Sequence, residues 1–226
     1  MILESILSCS YLFLTCGSCI YTLIRHSYVQ YSKFLSHFVC ACCGIATIST
    51  RSFIVFVYKL FFREYIFDPI IIQMQEERNK KRCNVLYELL GTLSMASLIC
   101  SLYCHHGYYI IGVFVATSIS IFDVFKLYEM SIPKPKEIKP SQFPYIPSRL
   151  KFTAEPRCTM FIWVLVSVCF AYSVGNNFAL AANYPYLLTN WVFTPEGFYE
   201  GWTVRSTIND YMMAAYVICI TEAFKF

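Results

Sequence analysis

The sequence predicts an all-α integral membrane protein, a polytopic helical bundle of about six transmembrane helices with a proline-rich extended loop. Of its 226 residues, 57% are hydrophobic and only 14% are charged, whereas soluble domains carry roughly 25% charge. The mean hydropathy is positive, at +0.51. The apolar residues occur in long blocks, and continuous stretches of about 18 or more are typical of membrane helices. We expect residues 1–226 to form a single transmembrane domain.

The first predicted span covers residues 5–24. Glu4 stands where a signal peptide would have basic residues, and no small-residue cleavage site follows the apolar run, so the block is expected to remain as a span. The second predicted span, residues 37–62, contains Arg51 and Lys59, whose aliphatic stems can place their charges near an interface or beside a carboxylate. A solvated loop is expected at 76–82, which is mostly charged.

The third and fourth predicted spans cover residues 84–104 and 108–127. Only His105, His106 and Gly107 separate them, which predicts a tight antiparallel hairpin. The following segment, residues 131–157, contains six of the nine prolines. Because proline fixes φ and lacks a backbone donor, an extended strap is expected there.

The fifth predicted span covers residues 158–182 and contains Ala171, Gly175 and Ala179 at four-residue spacing. Small residues at this spacing predict a helix face that packs closely against another helix. Residues 183–207 are rich in Tyr, Trp and Phe and predict an aromatic loop at the membrane boundary. Residues 208–224 form a sixth predicted span; if that stretch only lies on the surface, five spans remain.

The distribution of Lys and Arg predicts the orientation of the six spans. One side would hold thirteen of these residues, and the other only Arg25, Lys33 and Arg205, with Arg51 and Lys59 inside the second span. The positive-inside rule then places the basic side in the cytosol or the mitochondrial matrix, together with the N- and C-termini.

The hairpin between the third and fourth spans contains the densest set of candidate metal ligands. Cys100, Cys104, His105 and His106 supply thiols and imidazoles of the kind that bind zinc, copper or iron. Their spacing differs from haem attachment, which requires two residues between the cysteines. We therefore interpret these residues as a polar turn and predict no metal or cofactor, although bound phospholipids are expected.

The candidate functional residues among the polar positions of the predicted spans are Arg51, Glu88, Asp123, Asn176 and Asn177. Ionisable groups in spans are costly and are functional candidates by default. A proton or ion path through the two carboxylates is one interpretation. The other is that the carboxylates pair locally near the basic side and that the two asparagines form hydrogen bonds between helices.

The sequence shows no assembled nucleophile, base and oxyanion donor, and no phosphate-binding glycine loop. We therefore expect a non-catalytic accessory subunit of a multi-subunit membrane complex, such as a respiratory complex or ATP synthase of the mitochondrial inner membrane. Its expected partners are membrane lipids and other integral membrane subunits, and no nucleic acid. The alternative is a stand-alone ER or plasma-membrane transporter or lipid-modifying enzyme that uses Glu88, Asp123 and the pair His105 and His106.

Overall fold

The computed structural model describes residues 2–61, 69–131, 158–192 and 204–226, and these residues form helices joined by short turns. The α-helices are α1 (Ile2–Tyr31), α2 (Ser36–Phe61), α3 (Pro69–His105), α4 (Tyr109–Ser131), α5 (Cys158–Ser173), α6 (Asn177–Leu187) and α7 (Val204–Ala223). A π-helical turn, Leu188–Val192, continues α6. In the part of the chain that the structure describes, no strand is present.

Each helix runs antiparallel to the one before it. Helix α1 packs against α2 and α7, α3 packs against α2 and α4, and α6 packs against α5 and α7. At one end of the bundle, Ser8 near the start of α1 meets Asp210 near the start of α7. At the other end, Phe224 just after α7 contacts His105 at the end of α3. We call these the carboxylate end and the histidine end.

The core is formed by one stripe of each central helix. On α1 the stripe consists of Leu12, Cys16, Cys19 and Leu23, which recur at helical spacing and are nearly inaccessible. The opposite faces are also apolar: Ile110 of α4, for example, is 86% exposed. Apolar residues on both faces are expected of a helix whose outer side contacts lipid instead of water.

Among the residues that the structure describes, three helical segments are long and apolar enough to cross a membrane: Ile6–Tyr31, Ser36–Ile54 and Val85–His105. Tyr109–Phe125 and Phe161–Ser173 are apolar but shorter. The predicted membrane character of the chain is therefore supported, while the number of crossings is not fixed by these lengths.

The prediction of one continuous helix over residues 158–182 is wrong. Helix α5 ends at Ser173, and Gly175 adopts a left-handed conformation with φ +70°. The Gly175 N–H donates to the Tyr172 carbonyl at 3.2 Å and the Asn176 N–H to the Ala171 carbonyl at 2.9 Å. This is the hydrogen-bond pattern of a Schellman helix end, after which α6 returns antiparallel to α5.

The predicted packing ridge is consequently absent. Ala171 and Ala179 are both fully buried, but they lie on different helices. Gly175 is exposed, and a Cβ added to it would meet nothing within 4 Å. The close approaches occur elsewhere: a Cβ at Gly44 would lie 2.8 Å from Leu98 Cγ, and one at Gly112 would lie 2.6 Å from Tyr103 Cβ.

Several other boundaries also differ from the sequence-based expectation. The charged residues 76–82 belong to α3, and the start of the predicted aromatic loop, residues 183–192, is helical. Residues 132–157 of the predicted strap and residues 193–203 of the loop lie outside the described residues.

The additional turn at Gly175 changes where the chain ends. Because α5 and α6 form two antiparallel helices where one span was expected, α7 runs parallel to α1. The C-terminus therefore lies at the histidine end and the N-terminus at the carboxylate end. The sequence predicted both termini on one side of the membrane; in the bundle itself they lie at opposite ends.

Candidate functional site

The carboxylate end contains a hydrogen-bonded group centred on Asp123. This residue of α4 is 8% exposed. Its Oδ2 accepts hydrogen bonds from Thr92 Oγ1 of α3 and Trp163 Nε1 of α5, both at 3.1 Å. Asp123 thus joins three helices. Hydrogen bonds to a charged acceptor are stronger than neutral ones, because the acceptor carries a full charge.

A second group at the same end is centred on Asp210 of α7. Its Oδ2 accepts from Ser8 of α1 at 2.9 Å, and its Oδ1 accepts from Ser52 of α2 at 2.8 Å. Three further helices are therefore joined through one carboxylate. Sequence analysis placed Asp210 in the sixth span but gave it no role; the available signal was an acidic residue near the start of an apolar run.

Helix α6 is joined to α7 at both of its ends. At the histidine end, Asn176 is fully buried: its Oδ1 accepts from the Ala179 N–H at 3.0 Å, and its Nδ2 donates to the Ala223 carbonyl at 2.8 Å. At the other end, Asn209 Nδ2 donates to the Thr189 carbonyl at 3.1 Å. Asn176 is thus both the N-cap of α6 and a link between helices, whereas Asn177 is exposed.

Two more of the predicted intramembrane polar residues lie toward the carboxylate end. Arg51 of α2 is 7% exposed, and its Cζ lies 3.6 Å from the centroid of the Tyr87 ring. Glu88 of α3 is partly buried, one turn before Thr92.

The histidine end brings together the four histidines of the chain. His105 Nδ1 lies 3.4 Å from His37 Nε2, and the rings of His105 and His106 are 5.1 Å apart. The His26 ring contacts Phe38, which in turn contacts His37 and His105. Burial lowers the pKa of His106. Sequence analysis missed His26 and His37, whose positions near the facing ends of α1 and α2 were the available signal.

The candidate metal ligands do not form a recognisable centre. Within the described residues, no group of three or more His, Cys, Asp and Glu side chains is placed to hold a metal ion. Cys100, Cys104, His105 and His106 all lie at the end of α3 or just after it. They share the histidine end with His37, whose Nε2 lies 3.4 Å from His105 Nδ1.

The residues of the alternative transport or enzyme hypothesis are divided between the two ends. Asp123 contacts Thr92, which precedes His105 by thirteen residues on α3. At 1.5 Å per residue, the separation along the helix is about 20 Å. Asp123 and the histidine pair therefore do not form one site.

No protein-family model, no curated protein and no solved structure matches the chain. Its function is therefore inferred from its own residues.

Proposed function

We propose that the chain is a non-catalytic structural subunit of a larger integral membrane complex. The observation that supports this proposal most directly is the use of its intramembrane polar residues. Asp123 joins α3, α4 and α5, Asp210 joins α1, α2 and α7, and Asn176 and Asn209 join α6 to α7. Two of the polar residues that could serve transport or catalysis, Asp123 and Asn176, are thus engaged in hydrogen bonds that hold the bundle together.

The outer surface supports the same proposal. Helix α4 buries a narrow stripe that includes Ala116 and Ile119, while Ile110, Phe114 and Ile121 are each at least 69% exposed. Such a face can contact lipid tails or an apolar helix of another subunit without losing hydrogen bonds. A bundle with a fixed interior and an apolar exterior is suited to occupy a defined place in a membrane assembly.

We also propose that the chain crosses the membrane an odd number of times. If all seven helices cross, the count is seven; if the short α5–α6 hairpin enters and leaves on one side, the count is five. The six crossings expected from the sequence counted this hairpin as a single span. Cysteine-labelling of tags at the two ends should find them on opposite faces, and labelling of both from one face would contradict this topology.

The charge distribution favours the carboxylate end as the cytosolic or matrix side. By position in the sequence, this topology assigns thirteen Lys and Arg, now including Arg205, to that side, and assigns Arg25, Lys33 and Lys225 to the other side; α2 contains the remaining two. The asymmetry is the same as for six spans because Arg205 and Lys225 exchange sides. By the positive-inside rule, the N-terminus belongs on that side.

The compartment we propose is the mitochondrial inner membrane, where small helical subunits without catalytic residues surround respiratory enzymes and ATP synthase. Fractionation of a tagged chain decides between it and the ER membrane.

The test of the proposed function is the state of the chain after extraction in a mild detergent. Native-gel separation followed by mass spectrometry should find it with other integral membrane proteins in a complex much larger than its own 26.2 kDa. Asp123→Ala should deplete that complex, while Asp123→Asn, which retains an acceptor oxygen, should deplete it less. Migration of the wild-type chain alone or as a small homo-oligomer would overturn the proposal.

A further inference from the structure

Two histidines at the facing ends of α2 and α3 place their ring nitrogens at a distance that is long for a hydrogen bond. His37 Nε2 and His105 Nδ1 are 3.4 Å apart, whereas nitrogen donors usually lie about 2.7–3.2 Å from their acceptors. Nitrogens that bind one tetrahedral metal ion at about 2.0–2.1 Å are themselves about 3.3–3.4 Å apart. Nitrogens at right angles around an ion would be only about 2.8–3.0 Å apart. The observed separation therefore matches two ligands of a tetrahedral ion.

The backbone beside this pair is held in place by a hydrogen bond between the same two helices. Ser101 Oγ of α3 donates to the His37 carbonyl of α2. Ser101 and His105 are four residues apart, so they lie on the same face of α3. That face contacts both the backbone and the ring of His37, which is only 7% exposed. The position of the two imidazoles is thus fixed by the packing of α2 on α3.

Aromatic rings pack against both imidazoles. The centroid of the Phe38 ring lies 4.6 Å from that of His37 and 5.8 Å from that of His105. The Phe224 ring, just after α7, lies 5.6 Å from His105. Both phenylalanines are fully buried. Packing of this kind restricts the rotamers of ligand side chains before a metal ion binds, so less conformational entropy is lost when the site is assembled.

His106 supplies a third imidazole next to the pair. Its ring centroid is 5.1 Å from that of His105, and within the described residues its Nε2 is buried and makes no hydrogen bond. A buried polar atom without a partner is uncommon and is one of the signs of a bound water or ion. In the described arrangement the three histidines do not converge on one point, so the His106 side chain has to turn toward the pair. His105 and His106 are both partly exposed, which gives an ion access to the pair.

We propose that His37, His105 and His106 bind a Zn²⁺ ion, with water as the fourth ligand. Zinc prefers tetrahedral geometry and binds neutral imidazole well, whereas Mg²⁺ and Ca²⁺ prefer oxygen ligands. A zinc ion at this place joins the start of α2 to the end of α3 and so stabilises the histidine end of the bundle. The site does not require the chain to belong to a complex.

This ligand set differs from the one that the sequence suggested. The sequence grouped Cys100 and Cys104 with His105 and His106, because these residues are close together in the chain. His37 comes from another helix and was not included. The expectation that no metal is bound was therefore based on a set that lacked the residue nearest to His105 Nδ1.

The first measurement is metal binding to the purified full chain in detergent, after bound metal has been removed with EDTA. Zn²⁺ should bind at one ion per chain and raise the unfolding temperature, and Mg²⁺ should do neither. Because the chain contains twelve cysteines, Co²⁺ is used to distinguish imidazole from thiolate ligands. Tetrahedral Co²⁺ absorbs strongly in the visible range, and thiolate ligands add a charge-transfer band in the near ultraviolet. The first equivalent of Co²⁺ should give the visible bands without the thiolate band; a thiolate band, or the weak absorption of an octahedral ion, would overturn the proposal.

Two variants test the pair directly, and two others are matched controls. His37→Gln and His105→Gln should each weaken Zn²⁺ binding by at least about tenfold, because each removes a ligand. His26→Gln changes a histidine at the same end whose ring contacts Phe38, and it should leave the affinity unchanged. Cys104→Ala removes the thiol next to His105 and should also leave it unchanged. Wild-type affinity in both His37→Gln and His105→Gln would overturn the proposal, as would a loss with Cys104→Ala as large as that with His105→Gln.

If the buried His37 cannot be replaced without loss of folding, two measurements still decide the question. The Co²⁺ spectrum is recorded on the wild-type chain and needs no variant. His106→Gln changes a partly exposed residue of the turn after α3 and should weaken Zn²⁺ binding by at least about tenfold. Wild-type Zn²⁺ affinity in His106→Gln would contradict the three-histidine site.

Discussion

The two helical hairpins α3–α4 and α5–α6 turn in the same way but are held together by different interactions. Gly107 and Gly175 both adopt left-handed conformations, with φ +85° and +70°. After Gly107, the Tyr108 N–H donates to the Tyr103 carbonyl at 2.9 Å, which matches the bond from Asn176 to Ala171 in the other hairpin. Both are Schellman ends at the histidine end of the bundle.

The stabilisation on either side of these turns differs. In α3–α4 the helices approach so closely that Gly112 lies against Tyr103 and the Cys100 carbonyl. In α5–α6 a Cβ added to Gly175 would meet nothing within 4 Å, and the next residue, Asn176, caps α6 and donates to the Ala223 carbonyl at the end of α7. Gly112, inside α4, is therefore important for helix packing, whereas Gly175, just after α5, is not.

The first test of this comparison adds a side-chain atom where α3 and α4 approach most closely. Gly112→Ala should destabilise the protein by about 1–3 kcal/mol, because the new Cβ would lie 2.6 Å from Tyr103 Cβ. Gly17→Ala in α1 is the matched control, since a Cβ there meets nothing within 4 Å; it should be neutral or stabilise the helix by up to about 1 kcal/mol. Thermal unfolding in detergent measures the stability of both variants. Equal losses of stability would contradict the role of Gly112 in the α3–α4 contact.

The hydrogen bonds of Asn176, which cap α6 and join it to α7 just after the α5–α6 turn, should be the next most sensitive feature. Asn176→Ala removes the cap of α6 and leaves the Ala223 carbonyl without its donor, which should cost about 1–2 kcal/mol. Asn177→Ala changes the exposed neighbour and should cost less than about 0.5 kcal/mol. The same unfolding assay compares the two variants. Similar losses of stability would show that the hydrogen bonds of Asn176 do not stabilise the bundle.

A smaller effect is expected at the two turn glycines. Gly175→Ala and Gly107→Ala should each cost about 1 kcal/mol, because alanine is strained at positive φ. Gly175→Leu should cost about the same as Gly175→Ala, since nothing lies within 4 Å of the Cβ position. A much larger loss of stability with leucine would indicate that Gly175 lies in a helix contact, as the sequence predicted.

The smallest expected effect is the pH dependence contributed by His106. Burial lowers the pKa of His106 below its ordinary value of 6.5, so the folded protein favours the neutral ring. The contribution of this residue to stability should be present above pH 6.5 and decline as the pH falls below it. His106→Gln should show a smaller drop in unfolding temperature between pH 8 and pH 5 than wild type; an identical drop would show that His106 does not contribute.

Sequence patterns predicted the helical elements with long apolar runs better than the interruptions between them. The turn at His105 to Gly107 was predicted because charged or polar residues break the apolar pattern there. The turn at Gly175 was missed because Ala171, Gly175 and Ala179 have the spacing of a packing face. The sequence Gly175-Asn176 also matches a helix end followed by an N-cap, and periodicity alone does not distinguish these two interpretations.

The residues of the candidate sites were also only partly predictable from the sequence. Asp123, Arg51 and Asn176 could be selected from the sequence, because polar residues in apolar runs are conspicuous. Their partners could not, because Trp163, Tyr87 and Ala223 come from other helices and resemble any other apolar position. Which residues meet depends on the antiparallel order of the helices, and that order was wrong from the fifth span onward.

The bond from the Trp163 indole to Asp123 gives the molecule an internal optical reporter. Indole emission responds to the polarity and charge near the ring, and this indole donates to the carboxylate through which α3 and α5 are joined. The chain has only three tryptophans, so replacing Trp191 and Trp202 with phenylalanine would leave a single fluorophore at this position. Its spectrum would follow the separation of α5 from α3 and α4 as the bundle opens, without any added label.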